Sequence, residues 1–327
     1  MNRRLLLLLA IGLIVLPFVS KGSGREFAAD ILIYAILAVG LYVQIGLVGM
    51  VNFGFSAFFG LGAYVGALTM MKFTPGLLTS LGITMLVVIC VAALIGALAI
   101  RTRETAFSIL TLTFSQLLYV LAVADDTWTN GVNGLSGVPR PAIPAWLSQA
   151  TGWSFDGDTG FYFLALGVFA TVVFLVHLLQ RSRLGSVLSG IRENEERMVV
   201  LGYAVPRYKL AAFVISASIG GIAGYLNAAL LGYAGPSSLF WTVSGEAILI
   251  VTLGGASTLL GPIVGAVVFI GLSHYAVGLT DHWRLFVGLA FILIMIYTPR
   301  GIVPILRERW ASYQRARATA SIQKEAV

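Results

Sequence analysis

The stretch GIRENEERMVVLG, residues 190–202, sets five charged side chains into thirteen positions of a chain that is 58% hydrophobic and only 11% charged. Apolar runs flank it at 161–180 and 209–231. A hydrocarbon core about 30 Å thick takes about 20 helical residues at ~1.5 Å each, and both runs reach that length. The island is therefore a polar link between two membrane-crossing helices, and similar runs recur along the chain. Read outward from the island, the crossings fall at 5–20, 28–48, 53–71, 76–100, 105–124, 161–180, 209–231, 245–260, 262–280 and 283–299. The expected fold class is all-α, a polytopic membrane helix bundle of about ten transmembrane or re-entrant helices, forming one transmembrane domain over residues 1–327. Two regions stay open between full crossing and re-entry: 49–71, because the link 49–52 is very short, and 245–260, which barely reaches across.

Charge orients this arrangement. Ten crossings bring Arg3, Arg4, Arg101, Arg103, the 181–208 loop and the 300–327 tail to one side, which the bias of arginine and lysine marks as cytoplasmic. The opposite side receives the 125–160 loop, with Asp125, Asp126, Asp156, Asp158 and a single arginine, Arg140. The net charge of +7 then reports topology and contact with lipid headgroups rather than nucleic-acid binding. The first run, LLLLLAIGLIVL after NRR, has the form of a secretory signal, but PFVSKGS lacks a small-x-small cleavage site, so a retained helix is expected. Gly, Pro, Asn and Asp fill the 125–160 loop with turn signals, while Trp128, Trp146 and Trp153 favour a packed or interfacial loop.

Side-chain chemistry narrows the function. Asp30, Glu104 and Glu246 fall at the ends of the expected spans, and His274 is the one histidine placed deep. Ion-driven carriers and proton pumps commonly carry acidic groups or histidines inside the bundle, so none is advertised here, although sodium coupling through carbonyls and hydroxyls stays open. With three histidines and one cysteine, Cys90, in an apolar run, no catalytic constellation, metal site or resident cofactor is expected. A phosphate-cradling G-x-x-x-x-G-K-[ST] motif is also missing from the sequence.

Glycine carries more information, because its 37 copies concentrate in apolar segments. GLVGMVNFGFSAFFGLGAYVGAL (46–68) and VTLGGASTLLGPIVGAVV (251–268) share the fragments GAYVGA and GPIVGA, each with G-x-x-x-G spacing. Gly54, Gly62, Gly66, Gly254, Gly255 and Gly261 read as hinges of broken helices lining a pathway or, with equal weight, as close helix contacts. A conduit built from these segments would present Asn52, Phe53, Phe55, Ser56, Phe58, Ser115, Gln116 and Asn227, a mildly polar lining suited to a neutral or zwitterionic solute. The plainer alternative is that these polar side chains bond neighbouring helices.

Read as one helix, 190–201 pairs Glu193 with Arg197 and Arg192 with Glu196 at four-residue spacing, turns Ile191, Met198 and Leu201 to one side, and stops at Gly202. Such a helix is either a solvated turn on the headgroups or a docking knob for a soluble partner. Local physics leaves both open.

The stretch RLGSVLSGIRENEERMVVLGYAVPRYKLAAFVISASIGGIAGYL (183–226) resembles the coupling region of branched-chain amino acid ABC transporter permeases of the LivM type. VGMVNFGFSAFFGLGAYVGAL (48–68), TNGVNGLSGVP (129–139) and ILIVTLGGASTLLGPIVGAVV (248–268) are similar to three further family patterns in the same order. The resemblance implies an inner-membrane importer half with a second related permease, two ATP-binding subunits and a periplasmic solute-binding protein as partners. It also implies that Arg192, Glu193, Glu195, Glu196, Arg197 and Gly202 couple the chain to its ATPase. The family's Glu-Ala-Ala followed by Gly matches here only at Glu196 and Gly202, with Arg197 and Met198 in place of the alanines. Urea or short amides are alternative cargoes, and an ion-driven stand-alone carrier is the alternative class.

Overall fold

A computed structural model describes residues 23–73, 76–102, 104–142, 157–278, 283–298 and 301–308. The expected first crossing at 5–20, Trp146, Trp153 and residues 309–327 of the tail lie outside the described residues. Helix α1 (Ser23–Tyr42) runs on into a π turn, Val43–Val48, and stops at Gly49, whose φ of 85° suits glycine. Then come α2 (Ser56–Leu68) with a π turn at Thr69–Phe73, α3 (Leu77–Ala99), α4 (Glu104–Ala124) and α5 (Asp158–Arg181). Two short helices, α6 (Arg183–Glu193) and α7 (Glu195–Val200), lead into α8 (Val205–Leu231), α9 (Trp241–Gly254), α10 (Leu260–Val277) and α11 (Trp283–Tyr297).

Among the described residues, six helices are long and apolar enough to cross a membrane by themselves: Gly24–Val48, Leu77–Ala99, Thr105–Ala124, Asp158–Arg181, Val205–Leu231 and Leu260–Val277. Trp241–Gly254 in α9 and Leu285–Ile296 in α11 are shorter apolar helices. At one face, which carries most of the basic residues, the α1 terminus, the 100–102 link and α6 surround a common cavity. At the other, β1 (Leu135–Ser136) pairs antiparallel with β2 (Tyr233–Ala234), and Gly76 bridges Ala142. The segment from Gly49 to Gly76 therefore runs from the basic face toward the opposite one, with α2 as its helical part. Helix α9 has 14 residues, about 21 Å at 1.5 Å each, and starts four residues earlier than expected. Its C-terminus comes near the basic face, where the Ala256 carbonyl lies close to Gly46.

Two helices form the core. The apolar windows of Gly24–Val48 and Val205–Leu231 are 83% and 67% buried, against 28% for Leu77–Ala99 and 22% for Thr105–Ala124. The outer helices consequently present Leu86, Leu94, Ile109 and Leu121, and Cys90 as well, on the bundle surface. Hydrophobic exclusion does not drive helices together inside lipid, so close backbone approach and polar contacts must do so. Helix α8 meets α2 in that way: a Cβ on Gly224 would stand 1.8 Å from the Phe59 carbonyl oxygen, and one on Gly62 would stand 2.1 Å from that of Gly221. Buried polar pairs tie α8 to α1 and α3. Gln44 donates to the Ser216 hydroxyl at 2.9 Å, Ser216 donates to the Gly40 carbonyl at 2.6 Å, and Ser80 and Tyr225 share a bond of 2.7 Å.

The described part of the loop after α4 is held by local contacts, although Trp128 itself is 56% exposed. Asp125 accepts from the hydroxyl of Thr127 and from backbone N–H groups of Thr127 and Trp128, which holds its carboxyl below the usual range, and Lys72 sits over the Trp128 ring at 4.8 Å. Three sequence-based placements change. Asp30 and Glu246 lie inside α1 and α9 rather than at span ends, because both helices begin several residues before the apolar runs. His274 is not deep: it occupies the last turn of α10, exposed, with its ring 4.2 Å from that of Phe27.

Gly224→Val should abolish the folded, monodisperse protein in detergent, since the displaced atom is backbone. Gly167→Ala in α5, where a Cβ meets nothing within 4 Å, should hold or raise the melting temperature, the helix gaining up to about 1 kcal/mol.

Candidate functional site

The charged island folds as two helices, not one. Ser182 caps α6, its hydroxyl accepting the Gly185 N–H at 3.1 Å. Asn194 is extended (φ −161°), ends α6, and caps α7 by accepting the Arg197 N–H at 2.8 Å. The break at Asn194 replaces the helical pairing expected for Glu193 with Arg197 and Arg192 with Glu196. Arg192 instead donates to the Gly46 carbonyl in the π turn of α1, and Glu195 is bound by the Lys209 ammonium of α8 at 2.6 Å. Ile191 and Met198 are buried as expected, but Leu201 is exposed. Gly202 ends the unit with φ 85°.

These contacts frame a cavity of about 520 Å³ on the basic face, walled by Val48 and Met50, Arg101, Arg192, Glu195 and Lys209. Three cations and the carboxylates of Glu193 and Glu195 line it, and Lys209 is paired with Glu195. Outside it, Glu196 and Arg197 are exposed, next to an apolar edge of Val199, Val200, Leu201 and Tyr203. Val200 is 87% exposed, which for a valine beside a buried methionine marks a surface left for contact. Of this edge the sequence singled out only Leu201, which it placed on the same side as the buried Ile191 and Met198. Arg101 entered only as a marker of orientation, and Lys209 was passed over; lysine at the start of a span is ordinary, and nothing in the sequence shows what it faces.

The expected conduit residues are scattered. Asn52 is buried and accepts the Gly54 N–H at 2.9 Å, its Nδ2 having no partner. Ser56 joins α9, its N–H reaching the Ser244 hydroxyl at 2.7 Å and its own hydroxyl donating to the Leu239 carbonyl. Phe58 packs edge-on against Phe213 at 5.4 Å, and Phe55 is buried near it. Ser115 bonds within its own helix, Gln116 buries an Nε2 without a partner, Asn227 is half-buried, and Phe53 is exposed. None of Asn52, Phe53, Ser56, Phe58, Gln116 and Asn227 lines the basic-face cavity or a second cavity of about 740 Å³ toward the other face. Of the glycines read as hinges, Gly62 and Gly66 lie in unbroken α2 against Gly221 and Tyr225. Gly54 precedes α2 with Thr111 backbone beside it. Gly254 and Gly255 do mark a break, and Gly261 packs on them at the tight turn into α10. Among the described residues, no three His, Cys, Asp or Glu side chains gather where a metal ion could sit.

A bundle with several helices long and apolar enough to cross a membrane, and a helix pair held against its two core helices at one face, is the architecture of a polytopic membrane protein. Residues 25–296 match the family described as branched-chain amino acid transport system / permease component, and the chain belongs to that family. It is 31% identical over 307 residues to the high-affinity branched-chain amino acid transport system permease protein LivM of Salmonella typhimurium, covering 89% of this chain and 72% of that one. The LivM of Escherichia coli shows the same identity and coverage. The Escherichia coli permease protein LivH is 24% identical over 283 residues, covering 83% of this chain and 91% of its own. No solved structure matches the chain significantly.

Asn194→Ala removes a cap worth about 1 kcal/mol. Amide hydrogen exchange should quicken at residues 197–200 while the amides of α8 keep their protection.

Proposed function

We propose that this chain is one of two permease subunits of an ATP-driven importer for branched-chain or related amino acids, held in a bacterial inner membrane with the basic face toward the cytoplasm. The permease family membership supports transport, and similarity to both LivM and LivH supports a paired second permease. The observation that carries the coupling is the α6–α7 pair: it projects an exposed surface while gripping the core through Arg192 and Gly46 and through Glu195 and Lys209. Glu196, Arg197 and the Val199–Tyr203 edge dock on an ATPase subunit. When two ATPases close on ATP, the displacement of α6–α7 is passed to α1 and α8, the two most buried helices.

The energy comes from the difference in ATP affinity between the two arrangements, so no titrating group is needed in the bundle. A solute-binding protein delivers cargo at the opposite face, where the β1–β2 ribbon and the 125–142 loop lie. Replacing Glu196 by Lys and Val200 by Asp should lower binding-protein-stimulated ATP hydrolysis about tenfold or more, the loss of ~1.4 kcal/mol or more of coupling, with membrane insertion unchanged. Unaltered stimulation would remove α6–α7 from the coupling path. Vesicles containing this chain alone should not accumulate solute under any ion gradient; accumulation would make it a stand-alone carrier. Delivery of urea or amides, and not amino acids, by the partner binding protein would change the cargo.

A further inference from the structure

The cavity on the basic face, about 520 Å³, holds two charged side chains that the anchoring of α6–α7 leaves unused. Arg192 is taken by the Gly46 carbonyl, and Lys209 and Glu195 are taken by each other. The Arg101 guanidinium and the Glu193 carboxylate line the same space, and neither side chain has a hydrogen bond or ion pair among the described residues. Both are exposed, whereas Val48, Met50, Phe107 and Ile191 reach the cavity as buried side chains and give it a hydrocarbon wall. Three helix ends meet there as well: α1 through its π turn at Val48 and Gly49, α3 at Ile100, and α6 at Glu193 and Asn194. The last turn of a helix presents carbonyls that favour a cation.

A free cation, a free anion and a hydrocarbon wall together match a molecule with a carboxylate, an ammonium and an apolar side chain. A phosphate group matches poorly, because it brings no cation to Glu193 or to the helix ends, and a neutral amide leaves both charges unpaired. We propose that this cavity is a product-sensing site on the cytoplasmic side: Arg101 takes the carboxylate of a released amino acid, Glu193 and the helix ends take its ammonium, and Val48, Met50, Phe107 and Ile191 take its side chain. This assignment rests on the amino acid importer reading above. Arg101 follows the end of α3 and Glu193 ends α6, so the bound amino acid ties the coupling pair to the bundle and opposes the displacement that ATP drives. A ligand that favours one arrangement slows any cycle that must leave it. Import is thereby limited by the pool it fills.

The test uses the complex purified through this chain with its co-purifying subunits, in vesicles that enclose the binding protein with leucine and turn the ATPase side outward. External ATP should then drive leucine out. Leucine added outside should slow ATP hydrolysis about tenfold when present at about ten times its dissociation constant. Isovaleramide, which has the same isobutyl group and no charge, should leave the rate unchanged. In Arg101→Gln the ratio of the rates without and with external leucine should fall to about one. A leucine analogue with a side-chain diazirine, added outside without ATP, should label Met50 or Phe107 of the wild-type chain, mapped by mass spectrometry. Label confined to other sites overturns the proposal without needing any variant to fold, as does equal slowing of Arg101→Gln or equal slowing by the amide. A wild-type complex that moves leucine at a rate indifferent to external leucine removes this site alone. One that moves no leucine removes the importer reading and the regulation with it.

Discussion

The structure depends on how closely α8 can approach α2 and α1. Lipid tails are as apolar as leucine, so burial of hydrocarbon side chains gives helices in a membrane no net reason to associate. What remains is van der Waals contact between backbones and a few hydrogen bonds. Gly62, Gly221 and Gly224 remove the side chains that would hold α2 and α8 apart. Gln44, Ser216 and the Gly40 carbonyl then tie α1 to α8 where no water competes. Bonds of this kind average about 0.6 kcal/mol each, so the close backbone contact bears most of the association and the polar contacts fix register.

That central pair also explains the placement of the charged helices. Both anchors of α6–α7 land on it, Arg192 on the end of α1 and Glu195 on the start of α8. A surface pair such as Glu195 and Lys209 contributes little stability in water. Its use here is geometric: with the Arg192 contact it fixes the orientation of a six-residue helix too short to stand by itself.

Much of this was legible in sequence because the membrane demands length and apolarity, and both can be counted. The spans 76–100, 105–124 and 161–180 fall within a few residues of α3, α4 and α5. Span starts were less legible. Residues 23–27 and 241–244 are too polar to register in a hydropathy count, yet both stretches are helical, and this moved Asp30 and Glu246 from helix ends into the second turn. Asn194 was ambiguous for a different reason: between charged neighbours, asparagine can continue a helix or cap a new one, and only its extended backbone decides. The exposure of the Val199–Tyr203 edge was not legible, since an amphipathic pattern groups Leu201 with Ile191 and Met198 and does not show which of them find a partner within the chain.

The π turn at Val43–Val48 holds one residue more than an α-helix would accommodate in the same rise. If that surplus residue passed out of the turn, everything beyond it would rotate by about 100° and advance by about 1.5 Å. The Gly46 carbonyl lies within this turn, so Arg192 grips the innermost helix at the place where its thread can slip by a single notch. A modest tug at the rim would thereby become a twist of the central shaft.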